Sequence, residues 1–244
     1  MSHVFLDTAN LDEIKEMMQW NIVKGVTTNQ KIFLKEKGCK FEERAKQILD
    51  LVYPLPVSIE GPNNLDDLVY TALKYVDWVD DNDQTFNNIV IKVPMLGNGD
   101  GLKAVKQLSN QGIFTNVTAC MTLNQAFLAA SAGATYVSLF YNRMIDWALS
   151  QKEEKNVPEM IDGRMYALST ISSTMNTFET SGFRTQLIVG SIRNPIDVEE
   201  ILTVAPDIIT IPTPILKQMV FNEKTEETLK EFDNAWKEFC KHEK

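Results

Sequence analysis

The chain has 244 residues, 44% of them hydrophobic and 23% charged, with a formal net charge of -9; that is enough for one domain with a sizeable core, and no apolar run approaches the ~20 residues needed to span a bilayer. The acidic balance and the lack of any basic stretch exclude a phosphate-tracking nucleic-acid surface, though not a small anion held by local arginines. Three scattered cysteines (Cys39, Cys120, Cys240) and two histidines (His3, His242) exclude a disulfide framework, a zinc knuckle or a histidine triad, so catalysis must rest on Lys, Asp, Glu, Thr or Tyr, with no metal and no organic cofactor expected.

The opening MSHVFLDTAN has neither the basic nor the apolar region of a secretory signal, so cytoplasmic residence is the expectation. In chain order, strands are predicted at 3–7, 22–29, 56–60, 88–94, 113–118, 134–139, 186–191 and 207–212. Asn10 is placed to cap LDEIKEMMQW, with Glu13 at capping-box spacing. Apolar residues recur at helical spacing over 41–52, 65–78, 101–108, 123–132 and 167–178, and Pro195 sits where a first-turn proline belongs. The polar Gln151–Lys155 stretch reads as an exposed loop or a helix start. The tail from Thr225 carries Leu229, Phe232, Trp236 and Phe239 at helical spacing, a stripe wide enough that it must pack on something.

Strand–helix alternation repeated eight times predicts parallel strands joined by crossovers, and eight such units in one domain over 1–244 fit a closed (β/α)8 TIM barrel. An open doubly wound sheet is the alternative, but GxGxxG is absent, and GNGDG at 97–101 reads as a turn.

Barrel chemistry sits at the C-terminal ends of the strands, which here carry Asp7, Thr27, Thr28, Asn29, Glu60, Lys92, Asn116, Thr118, Ser138 and Ser191, with Phe140, Arg143 and Arg193 just beyond. Lys92 stands out within IVIKVP. Alternation sends Ile91 and Val93 towards the helices and Lys92 into the barrel. Burial disfavours the charged ammonium, and a neutral amine can attack a carbonyl to form an imine. The competing reading is a structural ion pair with Asp7 or Glu60. Two carboxylates with hydroxyls at Thr28 and Thr118 look like a proton-transfer set, although Asp7 also reads as a helix N-cap. Arg143, Ser191 and Arg193 suit a tetrahedral anion; the plain alternative is surface arginines paired with the many acids.

The segments FLDTAN (5–10), GVTTN (25–29), IVIKVP (89–94), TNVTA (115–119), NQAFLAASAGATYVS (124–138), GSIRNP (190–195) and FDNAWKEF (232–239) together resemble the transaldolase family, in its short single-domain branch that includes fructose 6-phosphate aldolases, over nearly the whole chain. The resemblance implies that Lys92 forms the imine, Asp7 is the acid/base carboxylate, and Glu60 with Thr118 holds the catalytic water. It implies that Asn29, Asn116 and Ser138 bind the three-carbon unit, and that Arg143, Ser191 and Arg193 bind phosphate. The aldolase branch carries glutamine where Glu60 stands and tyrosine where Phe140 stands, so transfer is favoured over simple cleavage. Departures fall at Gln30 and Lys31, where the family reads proline and serine, at Leu139, where it reads proline, and at Ile192, where it often reads phenylalanine; the stretch Trp147–Met160 is longer than in compact members.

Three functions follow as expectations. The first is transfer of a dihydroxyacetone unit from a ketose phosphate such as fructose 6-phosphate to an aldose phosphate. The second keeps the chemistry but alters the outcome or the sugar: aldolase-type cleavage, or a sulfonated or longer ketose. The third is a non-catalytic sugar-phosphate-binding protein, prompted by Gln30, Lys31 and Leu139. Small sugar phosphates are the expected partners, and a homo-oligomer is expected through the helix at 225–240, which resembles the family's arm; packing on its own barrel is the alternative.

Overall fold

The computed structural model describes residues 2–61, 64–78, 85–155 and 162–242. Eight strands run β1 His3–Asp7, β2 Val23–Thr27, β3 Val57–Glu60, β4 Ile89–Pro94, β5 Thr115–Cys120, β6 Tyr136–Phe140, β7 Gln186–Gly190 and β8 Ile208–Ile211. Each pairs in parallel with the next, and β8 returns to β1, closing the barrel. The helices are α1 Leu11–Met18, α2 Gln30–Phe33, α3 Phe41–Val52, α4 Leu65–Val76, α5 Asp100–Ser109, α6 Leu123–Ala132, α7 Tyr141–Lys155, α8 Gly163–Thr180, α9 Pro195–Leu202, α10 Thr213–Met219 and α11 Glu223–His242. The predicted TIM barrel is the observed fold.

Period-two alternation separates two cores. Leu6, Val26, Ile59, Ile91, Val93, Val117 and Leu139 face outward and pack with the helices. Phe5, Ile188 and Ile208 form a separate cluster with Tyr136, which fills the barrel below the polar strand ends. Leu139 is fully buried in the helix-facing core, so that departure does not reach the barrel's mouth.

Local chemistry explains the helix starts. The Asn10 side chain accepts from the backbone of Asp12 and Glu13 and caps α1. The expected capping box is only half made, because Glu13 accepts from the Thr8 hydroxyl at 2.6 Å. Asn194 and Asp197 do form a reciprocal capping box on α9, with proline in its first turn. The polar Gln151–Lys155 stretch ends α7 rather than starting a helix, and residues 156–160 of the long Trp147–Met160 stretch lie outside the described ones. Among the described residues no helix is long and apolar enough to cross a membrane.

Helix α11 has no buried residue, and Leu229, Phe232, Trp236 and Phe239 are 52–65% exposed. The tail stripe therefore does not pack on its own barrel.

Gly101 sets the position of β4. A Cβ there would lie 2.3 Å from the Pro94 carbonyl oxygen, so only a bare Cα lets α5 approach the strand end that follows Lys92. Gly101→Ala is expected to destabilise the fold by ~1–3 kcal/mol through overpacking. Urea unfolding measures this; an unchanged midpoint would show that β4 and α5 can part without cost.

Candidate active site

A cavity of about 290 Å³ opens at the C-terminal end of the barrel, at the small end of the ~300–1,000 Å³ typical of ligand sites. Asp7, Asn29, Glu60, Lys92, Thr118, Ser138, Phe140, Arg143 and Ser191 all line it. These are nine of the twelve residues to which the sequence assigns a role.

Lys92 is 4% exposed. Its Nζ donates to the Thr28 carbonyl at 2.9 Å and stands 3.4 Å from Glu60 Oε2. The registers Glu60↔Lys92 and Lys92↔Asn116 put all three at one height on adjacent strands. A buried ammonium needs a paired charge and hydrogen bonds, and both are present. The ion pair foreseen as the plain alternative thus exists, yet it faces a cavity rather than sealing one.

Asp7 also lines the cavity, and Asn10 rather than Asp7 caps α1. Burial pushes the Asp7 carboxyl above the ordinary carboxylate value, against the pull of Lys92 and of the Thr27 hydroxyl. Thr27 Oγ1 donates to Asp7 Oδ1 at 2.8 Å and also touches Thr210 Oγ1. Since a hydroxyl has one proton, and that of Thr27 goes to Asp7, Thr210 donates to Thr27. A relay of two hydroxyls thus backs the carboxyl.

Three nominated residues stand elsewhere. Thr28 is fully buried, and its hydroxyl donates to the Ser58 carbonyl at 2.8 Å; β2 ends at Thr27, so the next side chain leaves the barrel. Asn116 is fully buried behind the lining, donating to Ser58 Oγ at 3.1 Å and accepting from Ser138 Oγ at 2.7 Å. Arg193 grips Asp146 through both guanidinium arms, the surface pairing foreseen as its alternative. Arg143, by contrast, lines the cavity.

Thr27 stands among the polar strand ends of the sequence without an assigned role, and Thr210 was missed. Thr210 is a single polar residue inside the apolar run IITI of β8, the same signal that singled out Lys92. Gln30 and Lys31, noted only as departures, line the mouth. Thr118 Oγ1 is buried without a hydrogen-bond partner among the described residues. The next residue, Ala119, is left-handed at φ 60° and falls in the register break between β5 and β6, and Ser191 is left-handed at φ 65°. Both line the cavity; such conformations cost on the order of 1–3 kcal/mol each and persist where surrounding contacts hold them. At Ser191 those contacts are visible: Asn142 Nδ2 donates to its carbonyl at 2.8 Å and to Asp197 Oδ2 at 2.6 Å, while Asp197 Oδ2 also accepts from Arg193 N at 2.8 Å.

The Asp7 geometry carries a stability consequence. Below its ordinary value of 3.8 the carboxyl is protonated in both folded and unfolded chains, and burial adds no penalty. As pH rises past that value the unfolded chain ionises first, and the folded state loses stability until the raised folded value is passed. Asp7→Asn is therefore expected to raise the unfolding midpoint at pH 7, with the gain shrinking as pH falls towards 4. Urea melts at the two pH values check this, and a variant less stable than the parent at pH 7 would overturn it.

A family model described as Transaldolase/Fructose-6-phosphate aldolase matches residues 4–244. The chain is 37% identical over 241 residues to a probable transaldolase of Kosmotoga olearia, covering 98% of this chain and 97% of that one. It is 39% identical over 233 residues to a probable transaldolase of Moorella thermoacetica, covering 96% of each. A probable transaldolase of Thermoplasma acidophilum is 38% identical over 239 residues, covering 96% of this chain and 95% of its own. With an interior lysine facing the mouth of a closed barrel and likeness that runs end to end, the chain belongs to the transaldolase/fructose-6-phosphate aldolase family.

Proposed function

We propose that the chain is a Schiff-base transaldolase that moves a dihydroxyacetone unit from a ketose phosphate such as fructose 6-phosphate to an aldose phosphate. One observation carries the reading: the buried Lys92 amine faces a ligand-sized cavity together with two carboxylates. The Lys92 ammonium passes a proton to Glu60, its ion-pair partner, and the neutral Nζ adds to the ketone carbon. Asp7, which lines the cavity with Lys92, protonates the departing hydroxyl and the imine forms. The Asp7 carboxylate then removes the proton of the C4 hydroxyl, the C3–C4 bond breaks, and an aldehyde leaves. The three-carbon enamine stays on Lys92 and adds to the acceptor aldehyde, after which water held by Glu60 and Thr118 releases the product.

Asn29 and Ser138 hold the hydroxyls of the three-carbon unit, with Asn116 acting through Ser138. Arg143 and Ser191 hold the phosphate. Phe140 rather than Tyr141 lines the cavity: Tyr141 is fully buried and donates to Glu200 at 2.6 Å. That register supports the transfer reading, since the aldolase branch resembles this chain but carries tyrosine at the lining position. We further assign α11 as an arm that packs its exposed apolar stripe on a neighbouring subunit.

Borohydride reduction with fructose 6-phosphate is expected to leave a stable adduct on the Lys92 peptide, detected by mass spectrometry, and Lys92→Met is expected to abolish both adduct and turnover. Asp7→Asn is expected to lower kcat on the order of 10²–10⁴-fold. Adduct formation in Lys92→Met, or none with any ketose donor in the parent, would refute the mechanism. For the arm, Trp236→Glu is expected to reduce the mass seen by light scattering towards that of one 27.7 kDa chain; an unchanged mass would remove α11 from the subunit contact.

A further inference from the structure

Two arginines approach the phosphate side of the mouth, but only one reaches it. Arg143 lines the cavity with Ser191, and Arg193 does not. Its guanidinium is drawn to Asp146, with Nη1 donating to Oδ1 at 2.9 Å and Nη2 to Oδ2. Asp146 follows Arg143 by three residues on α7, on the same helix face, and both arginines hold its carboxyl below the usual carboxylate range, Arg193 more strongly.

The root of Arg193 does not share that freedom to choose partners. Its backbone N–H donates to Asp197 at 2.8 Å, and Asp197 is fully buried on α9. The same Asp197 oxygen takes Asn142, which also fixes Ser191. The backbone of Arg193 is thus fixed, and its guanidinium is the part that can exchange partners. Arg193 and Asp146 have side chains 50% and 42% exposed, and half-exposed pairs contribute little net free energy. A phosphate dianion already touching Arg143 offers a stronger, charge-assisted two-pronged partner.

We propose that Asp146 is a specificity-determining positioning residue: it holds Arg193 outside the cavity and competes with the substrate's phosphate for it. The inference rests on the proposed phosphate role of Arg143 and Ser191. In this arrangement Arg193 is recruited by a doubly charged group and stays on Asp146 when the ligand is uncharged. Asp146 therefore weakens phosphate binding and leaves neutral sugars unaffected.

The test measures inorganic phosphate binding by calorimetry for the parent, Asp146→Asn, Arg193→Ala, the double variant and Arg143→Ala. Asp146→Asn is expected to bind phosphate up to about fivefold more tightly, which corresponds to ~1 kcal/mol at 1.4 kcal/mol per tenfold. Its KM for fructose 6-phosphate is expected to fall with kcat little changed, while its KM for unphosphorylated fructose stays put. In the Arg193→Ala background the Asp146 change is expected to have no effect. Unchanged or weaker phosphate binding by Asp146→Asn, or equal tightening without Arg193, would overturn the proposal. Parent and Arg143→Ala binding phosphate alike would instead sink the underlying phosphate reading, so the two failures are distinguishable.

Discussion

An amine buried at the polar mouth of the barrel is the constraint around which the rest of the structure is arranged. A cationic group taken from water needs a counter-charge and its hydrogen bonds satisfied. The chain meets the need with Glu60 one strand away and with the carbonyl of Thr28. That carbonyl is available because β2 stops at Thr27, and Asn29 then turns the backbone by capping α2. The C-terminal end of β4 is set by steric contact: α5 lies against Pro94 so closely that only glycine fits at 101. The Lys92 amine is thus held by Glu60 and by the carbonyl beyond β2, and its strand by α5, and a group fixed in this way is pre-organised towards whatever enters the cavity.

The two sides of the mouth are built differently. On the side of β1, β2 and β8, polar groups are joined in a buried relay from Thr210 through Thr27 to Asp7. On the side of β6 and β7, the fixed parts are backbone and the charges are on long side chains. Asp197 and Asn142 hold the loop from Ser191 to Asn194 in place, and arginine side chains extend from that rigid base. Rigid groups suit proton transfer, where tenths of an ångström matter. Long side chains suit a rotating phosphate, whose oxygens present several equivalent pairing geometries.

Much of this was readable from the sequence, for a definite reason. Period two within short apolar runs assigns each residue to the barrel or to the helix layer, so the strands, the closed barrel and the inward direction of Lys92, Glu60 and Thr118 all follow from local pattern. What failed was the state of each polar side chain once inside. Thr28 failed on parity, since Thr27 faces inward and the next side chain leaves the barrel; Asn116 shares the parity of Thr118, yet its amide is taken by Ser58 and Ser138, whose partnership depends on cross-strand register that no local window contains. Arg193 was lost to Asp146, 47 positions away. Helices α2, α7 and α10 escaped because α7 follows β6 without an intervening turn residue and α2 and α10 are only four and seven residues long.

The wall at β6 bears on the fate of the three-carbon enamine in the proposed reaction. Such an intermediate is consumed either by an incoming aldehyde, which completes transfer, or by a proton, which ends in cleavage. The β6 wall presents Phe140 to the cavity, and the neighbouring Tyr141 phenol is turned away into the helix layer, where burial first and its donation to Glu200 second push it up. A one-residue slip would exchange the two, because adjacent strand positions face opposite layers. The Phe140↔Gly190 and Ser138↔Ile188 pairing excludes that slip. An apolar ring at this point offers the enamine no proton, so among the described residues the acidic groups of the cavity are those near Lys92 itself, Asp7 and Glu60. In the proposed reaction Asp7 holds the proton taken from the C4 hydroxyl while the enamine waits, and addition to the acceptor aldehyde returns that proton to the new alkoxide, so the acid that could end the reaction in cleavage is the one that transfer consumes.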